Sequence, residues 1–213
     1  RYLLLASEID SVELLEKATY EYAKLIASPP GFLLTELGGV MLGGIATEAD
    51  DLELAERCLL DALNGCSAKK AKQLECSCRL LLSDLYFKQK KRDLATEQLR
   101  QALRQGICDN FTVFPGVRMP VLVRSAYQAF SADIYKGYAL QLITQDFGTA
   151  TEFFAEKAAA FESDADGFCR DFFGVFGNAS NSASGRITVR LFGSFCLEVD
   201  GTPIRKDEYQ TKK

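Results

Sequence analysis

The chain has 213 residues, 47% of them hydrophobic, which is enough for one large or two smaller domains with a substantial core. It contains no histidine, which removes Ser-His-Asp and Cys-His nucleophile pairs, His-containing zinc sites and the commonest general base. Its formal net charge is −4, but residues 186–213 carry +2 and the rest therefore −6, an acidic body that repels phosphate and argues against nucleic-acid binding there.

The first residues, Arg1-Tyr2-Leu3-Leu4-Leu5, form too short an apolar run for a signal peptide, and Glu8 and Asp10 follow soon after. The absence of an initiating Met reads as a piece cut from a longer protein at both ends. The best apolar span, 32–46, contains Glu36 and four glycines, so no membrane segment is expected. Seven cysteines (Cys58, Cys66, Cys76, Cys78, Cys108, Cys169 and Cys196) are odd in number and mostly lie within helical patterns. Reduced thiols in the cytoplasm are the expected state.

In chain order the pattern is helix after helix. Asp10-x-x-Glu13 reads as a capping box, and Leu14, Leu15, Ala18, Tyr22 and Leu25 recur at helical spacing until Ser28-Pro29-Pro30-Gly31. Asp50-x-x-Glu53 predicts a second helix start, with a stop at Asn64-Gly65. Another helix runs through Leu74, Cys78, Leu81, Leu82 and Leu85, and one more spans about 92–105 before Gly106. Pro120 fits a first helical turn leading through Leu122, Ala126, Ala129 and Phe130. Asp146-Phe-Gly interrupts before a stripe of Phe153, Phe154, Ala158 and Phe161. The small-residue stretch 177–185 predicts a flexible linker with a reach of about 17 Å.

Two helix pairs repeat. Leu42-Gly43 precedes Ala55, Leu59 and Ala62 with offsets that recur in Leu82-Ser83, Ala95, Leu99 and Ala102, with Tyr86 between. The pattern of Leu-Gly, then Tyr, then spaced alanines resembles the tetratricopeptide repeat. Its 40-residue period resembles the helical repeat domain of MalT/LuxR-type activators, over about residues 35–165. The fold class expected is therefore mainly α: a tetratricopeptide-like α-solenoid of antiparallel helix pairs, with a short C-terminal antiparallel β-segment. The resemblance implies that the first helix of each pair lines a concave face. Val40, Gly44, Thr47 and Glu48 of one copy and Leu80, Asp84, Phe87 and Lys88 of the next would lie on it. Thr47, Glu48, Asp84, Phe87 and Lys88 are the candidate partner-binding groove. These positions are largely not basic, unlike the carboxylate clamp of peptide-binding members of that family.

Catalytic and metal chemistry find little support. Cys76 and Cys78 diverge by about 200° on one helix and cannot share a tetrahedral site with Cys66. Gly38-Gly39-Val40-Met41-Leu42-Gly43-Gly44 lacks the Gly-Lys-Ser/Thr ending of a phosphate loop, and close helix packing explains its glycines. The basic run Lys88-Gln-Lys90-Lys91-Arg92 reads as a solvated turn. No catalytic residue, cofactor or metal is assigned, and an enzyme is not expected.

Beyond the linker, Ile187, Val189 and Leu191 alternate with Thr188 and Arg190, and Phe195, Leu197 and Val199 with Cys196 and Glu198. This is the period-2 pattern of half-buried strands, followed by an Asp200-Gly201 hairpin turn. The segment through Thr202-Pro203-Ile204 resembles the opening of the winged-helix DNA-binding domain of SARP-type and related OmpR-type regulators. The resemblance implies that the recognition helix lies beyond Lys213. Three short strands cannot stand alone, so cover is expected from the chain's own helices or from a second copy, as a homodimer.

The expected organisation is a helical-repeat regulatory domain over 1–176, a linker over 177–185, and truncated winged-helix strands over 186–213. The expected function is the regulatory, protein-interaction part of a cytoplasmic bacterial transcription factor. Its helices would sense an unknown signal ligand or dock a protein partner, and DNA would be reached only through the missing part. The alternative is a scaffold or adaptor solenoid with a terminal hairpin and no DNA role.

Overall fold

The computed structural model describes residues 11–27, 33–144, 150–158, 164–176, 187–190, 196–199 and 202–204. Among them stand nine helices: α1 (Ser11–Ala27), α2 (Leu34–Glu48), α3 (Leu52–Ala68), α4 (Lys72–Lys88), α5 (Arg92–Asp109), α6 (Met119–Ser131), α7 (Lys136–Thr144), α8 (Ala150–Lys157) and α9 (Ala165–Phe176). The chain is mainly helical and its helices pack in pairs, α2 on α3 and α4 on α5 most extensively. It divides into two compact units, Arg1–Cys169 and Arg170–Lys213.

One turn, used repeatedly, sets the course of the first unit. Asp50, Lys70 and Lys90 adopt left-handed backbone at φ 63, 57 and 61°. The amide after each donates back across the helix end: Asp51 to the Ala46 carbonyl (3.0 Å), Ala71 to Cys66 (2.8 Å) and Lys91 to Tyr86 (2.9 Å). Asn110 ends α5 in the same way, at φ 54°, with Phe111 donating to Gly106 at 2.9 Å. These are Schellman closures, which satisfy carbonyls that a helix end leaves open. They recur every twenty residues, so one helix plus one turn is the unit and forty residues make a pair.

This device corrects three expected boundaries. Asp51, not Asp50, caps α3, its Oδ1 accepting from the Leu54 amide at 3.1 Å, because Asp50 closes the preceding helix. α3 runs past Asn64-Gly65 to Ala68, and α5 past Gly106 to Asp109. Both glycines serve packing. A Cβ at Gly65 would lie 2.7 Å from Glu36 Oε1, and one at Gly106 would overlap the Tyr138 hydroxyl, which donates to the Phe111 carbonyl at 2.6 Å.

The repeating apolar positions form the core. Ala55, Leu59, Ala62, Ala95, Leu99 and Ala102 are all between 0 and 2% exposed, as the 40-residue self-similarity predicts. α4 is central: it packs on α2, α3, α5 and α6, and Leu80, Leu81, Leu82 and Leu85 are fully buried. Burying each such side chain stabilises the fold by about 1.5–3 kcal/mol. The glycine cluster lets α2 approach α3 closely. A Cβ at Gly39 would lie 3.1 Å from Ala62 Cβ, and one at Gly43 would lie 2.7 Å from Leu59 Cδ2. Val40, Leu80 and Thr47, placed on a concave face by the sequence reading, are instead buried, at 0, 0 and 2% exposure.

α6, α8 and α9 are joined by rings. Phe168 stacks on Tyr127 with centroids 4.7 Å apart and meets Phe154 edge-on at 4.7 Å and Phe153 at 5.5 Å. Such pairs contribute about 0.5–1.5 kcal/mol each beyond their area. The expected C-terminal β-segment falls in the second unit, where only the backbone of Ile187–Arg190, Cys196–Val199 and Thr202–Ile204 is described. The capping box at Asp10, the break at Asp146-Phe-Gly, Phe161, the 177–185 linker, the apolar face of 187–199 and the Asp200-Gly201 turn lie outside the described residues.

A candidate partner-binding cleft at the helix ends

The C-terminal turn of α4 brings Asp84, Phe87 and Lys88 to one end of the first unit's helices. The starts of α5, α6 and α9 reach the same end. A cleft of about 310 Å³ opens there, lined by Asp84, Phe87 and Lys88 together with Lys90, Arg92, Arg124, Asp164 and Asp166. That volume lies at the low end of the range for small-ligand sites.

Its floor is a buried ion pair. Asp84 is 2% exposed and accepts two bonds from Arg124, Nε to Oδ1 at 2.7 Å and Nη2 to Oδ2 at 2.6 Å. Arg124 Nη1 also lies 3.8 Å from Asp166 Oδ1. Burial alone would lower the Arg124 pKa, but the two bonds to Asp84 outweigh it and hold the guanidinium above its ordinary value. Asp164 is engaged at the start of α9, its Oδ1 accepting from the Gly167 amide at 2.8 Å. Around this neutralised floor stand Lys88, Lys90 and Arg92. The Arg92 guanidinium sits 5.8 Å from the centre of the Phe87 ring.

The other two candidate groove residues, on α2, do not line the cleft. Lys88 Nζ donates to the Thr47 carbonyl at 2.8 Å, while the Thr47 hydroxyl turns inward to the Gly43 carbonyl at 2.8 Å. Glu48 pairs with Arg118 at the start of α6. Thr47 thus offers backbone rather than side chain. Asp84, Phe87 and Lys88 come together in the cleft, whereas Thr47 is joined to it only through Lys88 and Glu48 lies outside its lining. The sequence reading placed Lys90 and Arg92 in a solvated turn and Asp164 and Asp166 at a helix start, and did not single out Arg124. Two signals pointed to the first pair of partners: Asp84 is the lone acid in Leu80–Tyr86, and Arg124 the lone base in Val121–Tyr127. Charges inside apolar helical runs need a partner.

Next to the cleft, sharing Phe87 and Arg92, a slot of about 160 Å³ separates α5 from α6. Gln128 lines it at 6% exposure, held at one end of its amide by Ser83 Oγ at 3.2 Å. The other end, Nε2, is buried without a hydrogen-bond partner.

The cysteines diverge as their spacing predicts. Cys76 turns to the Ala102 carbonyl on α5, 3.7 Å away, and burial pushes its pKa up to about 12. Cys78 instead faces Cys66 on α3. Their thiol–thiol hydrogen bond, reinforced by burial, raises Cys78, and the same bond lowers Cys66. Among the described residues no group of three or more His, Cys, Asp or Glu is placed to hold a metal ion. No helix among them is long and apolar enough to cross a membrane. No family model, curated protein or solved structure matches this chain.

Proposed function

We propose that the chain is the regulatory, protein-interaction part of a cytoplasmic bacterial transcription factor. Its helix pairs form a tetratricopeptide-like repeat domain, and residues 186–213 open a winged-helix DNA-binding domain. The single observation that carries the docking role is the cleft at Asp84, Phe87 and Lys88, where an aromatic ring, the cations Lys88, Lys90 and Arg92 and the carboxylates Asp164 and Asp166 surround the paired Asp84 and Arg124. A partner segment or signal ligand seated there touches α4, α5, α6 and α9 together, so it can bias how those elements pack. The recurring turn and the forty-residue pair support the repeat reading, since such arrays are built from like units that each contact mainly their neighbours.

The test is transcriptional output in cells producing the natural full-length protein with Phe87→Ala and Lys88→Glu. The reading expects output at the regulated genes to change at least fivefold in a variant whose far-UV circular dichroism shows the helical fold retained, since Phe87 packs against the core and its loss lowers the unfolding midpoint. Unchanged output with a folded variant overturns it.

A further inference from the structure

At the opposite end of the same helices the chain builds a second, chemically different site. The start of α2, the turn between α3 and α4, and the segment after α5 enclose an open basin of about 460 Å³. Leu34, Leu37, Leu74, Phe111 and Pro115 supply its apolar surface. Leu34 is 47% exposed, and Val113 beside the basin is 64% exposed. The volume falls within the range of about 300–1,000 Å³ typical of sites for small organic ligands. It is formed where three chain segments meet, not along a helix face, so it suits a compact molecule better than a docked helix.

The basin's rim is cationic. Lys70 and Lys72 line it. Lys72 is engaged by Asp109 at 3.0 Å, and the neighbouring Glu36 is engaged by Lys69 at 2.6 Å. Lys70 has no acidic partner among the described residues. Its backbone is anchored as the left-handed residue that closes α3. Directly after it, Ala71 precedes α4 and offers no side chain to cap the amides of its first turn. An apolar basin with positive charge at its lip complements an apolar body carrying an anionic head.

We infer that this basin binds a small amphipathic carboxylate, its hydrocarbon part on Leu34, Leu37, Leu74 and Phe111 and its acid group at Lys70. The inference is independent of the regulatory reading, because the two sites lie at opposite ends of the helices and share no residue.

The experiment titrates the whole chain with three probes of one chain length, below their aggregation concentrations: decanoate, decanol and decyltrimethylammonium. Amide chemical shifts and calorimetry report binding. The expected order is decanoate tighter than decanol by at least tenfold, with the cation weakest and shifts centred on residues 33–37, 70–74 and 111–115. Lys70→Gly removes the charge while easing the left-handed backbone, so it leaves the fold at least as stable and should weaken decanoate about tenfold without changing decanol. Lys90→Gly makes the same backbone change at the far end and should leave decanoate binding intact. Leu34→Gln, at an exposed position, should weaken both decanoate and decanol. No decanoate binding, equal binding of acid and alcohol, or wild-type affinity in Lys70→Gly overturns the inference.

Discussion

Asp84 and Arg124, forty residues apart in sequence, meet as a two-point ion pair at 2.6 and 2.7 Å with the carboxylate almost wholly out of water. The pair fixes α4 to α6 at the floor of the cleft. Removing Arg124 leaves the Asp84 carboxylate buried and unpaired, at a cost of about 3–5 kcal/mol, and removing Asp84 leaves Arg124 only the more distant Asp166. Asp84→Asn and Arg124→Leu are therefore each expected to lower the denaturant midpoint sharply. Asp84→Leu combined with Arg124→Leu should recover most of that loss. The three unfolding curves check this, and additive losses in the double variant would contradict it.

The twenty-residue turn gives a stability prediction with an opposite sign. Lys70 and Lys90 hold left-handed backbone that a side chain disfavours by about 1–2 kcal/mol, of which glycine returns part to unfolded-state entropy. Lys70→Gly and Lys90→Gly should each stabilise the protein by about 0.5–1 kcal/mol in chemical unfolding.

Gly43→Ala should do the reverse. Its Cβ would lie 2.7 Å from Leu59 Cδ2 and 3.4 Å from the Ala55 carbonyl. Overpacking of this kind costs about 1–3 kcal/mol, readable as a lower thermal midpoint.

Glu36 supplies the pH dependence. Burial works to raise its pKa, but the bond from Lys69 at 2.6 Å prevails and holds the carboxyl below its ordinary 4.5. A folded-state pKa below the unfolded one contributes stability that is complete above pH 4.5 and is lost as pH falls through the folded value. Glu36→Gln should flatten the acid limb of the stability profile below pH 4.5 relative to wild type.

The self-similarity of the sequence made the helix pairs legible, because small and large apolar residues at fixed offsets can bury only between stacked helices. Ala55, Leu59 and Ala62 and their counterparts are buried for that reason. Helix ends were less legible. Glycine is the usual helix terminator, yet here Gly65 and Gly106 sit inside helices to admit Glu36 and Tyr138, while Lys70 and Asn110 make the turns. Nothing local distinguishes a lysine in left-handed backbone from one in a helix. In the cleft, Asp84, Phe87 and Lys88 follow from repeat spacing. Arg124 does not, because its pairing with Asp84 depends on how α6 packs against α4.

The regulatory reading turns on whether the natural full-length protein sits at discrete chromosomal sites. Crosslinking it in its own cells and sequencing the recovered DNA measures that directly. The account predicts a small set of sharp sites whose occupancy shifts when Phe87→Ala and Lys88→Glu are introduced. Uniform background recovery from the full-length protein would contradict it and favour a scaffold without a DNA role.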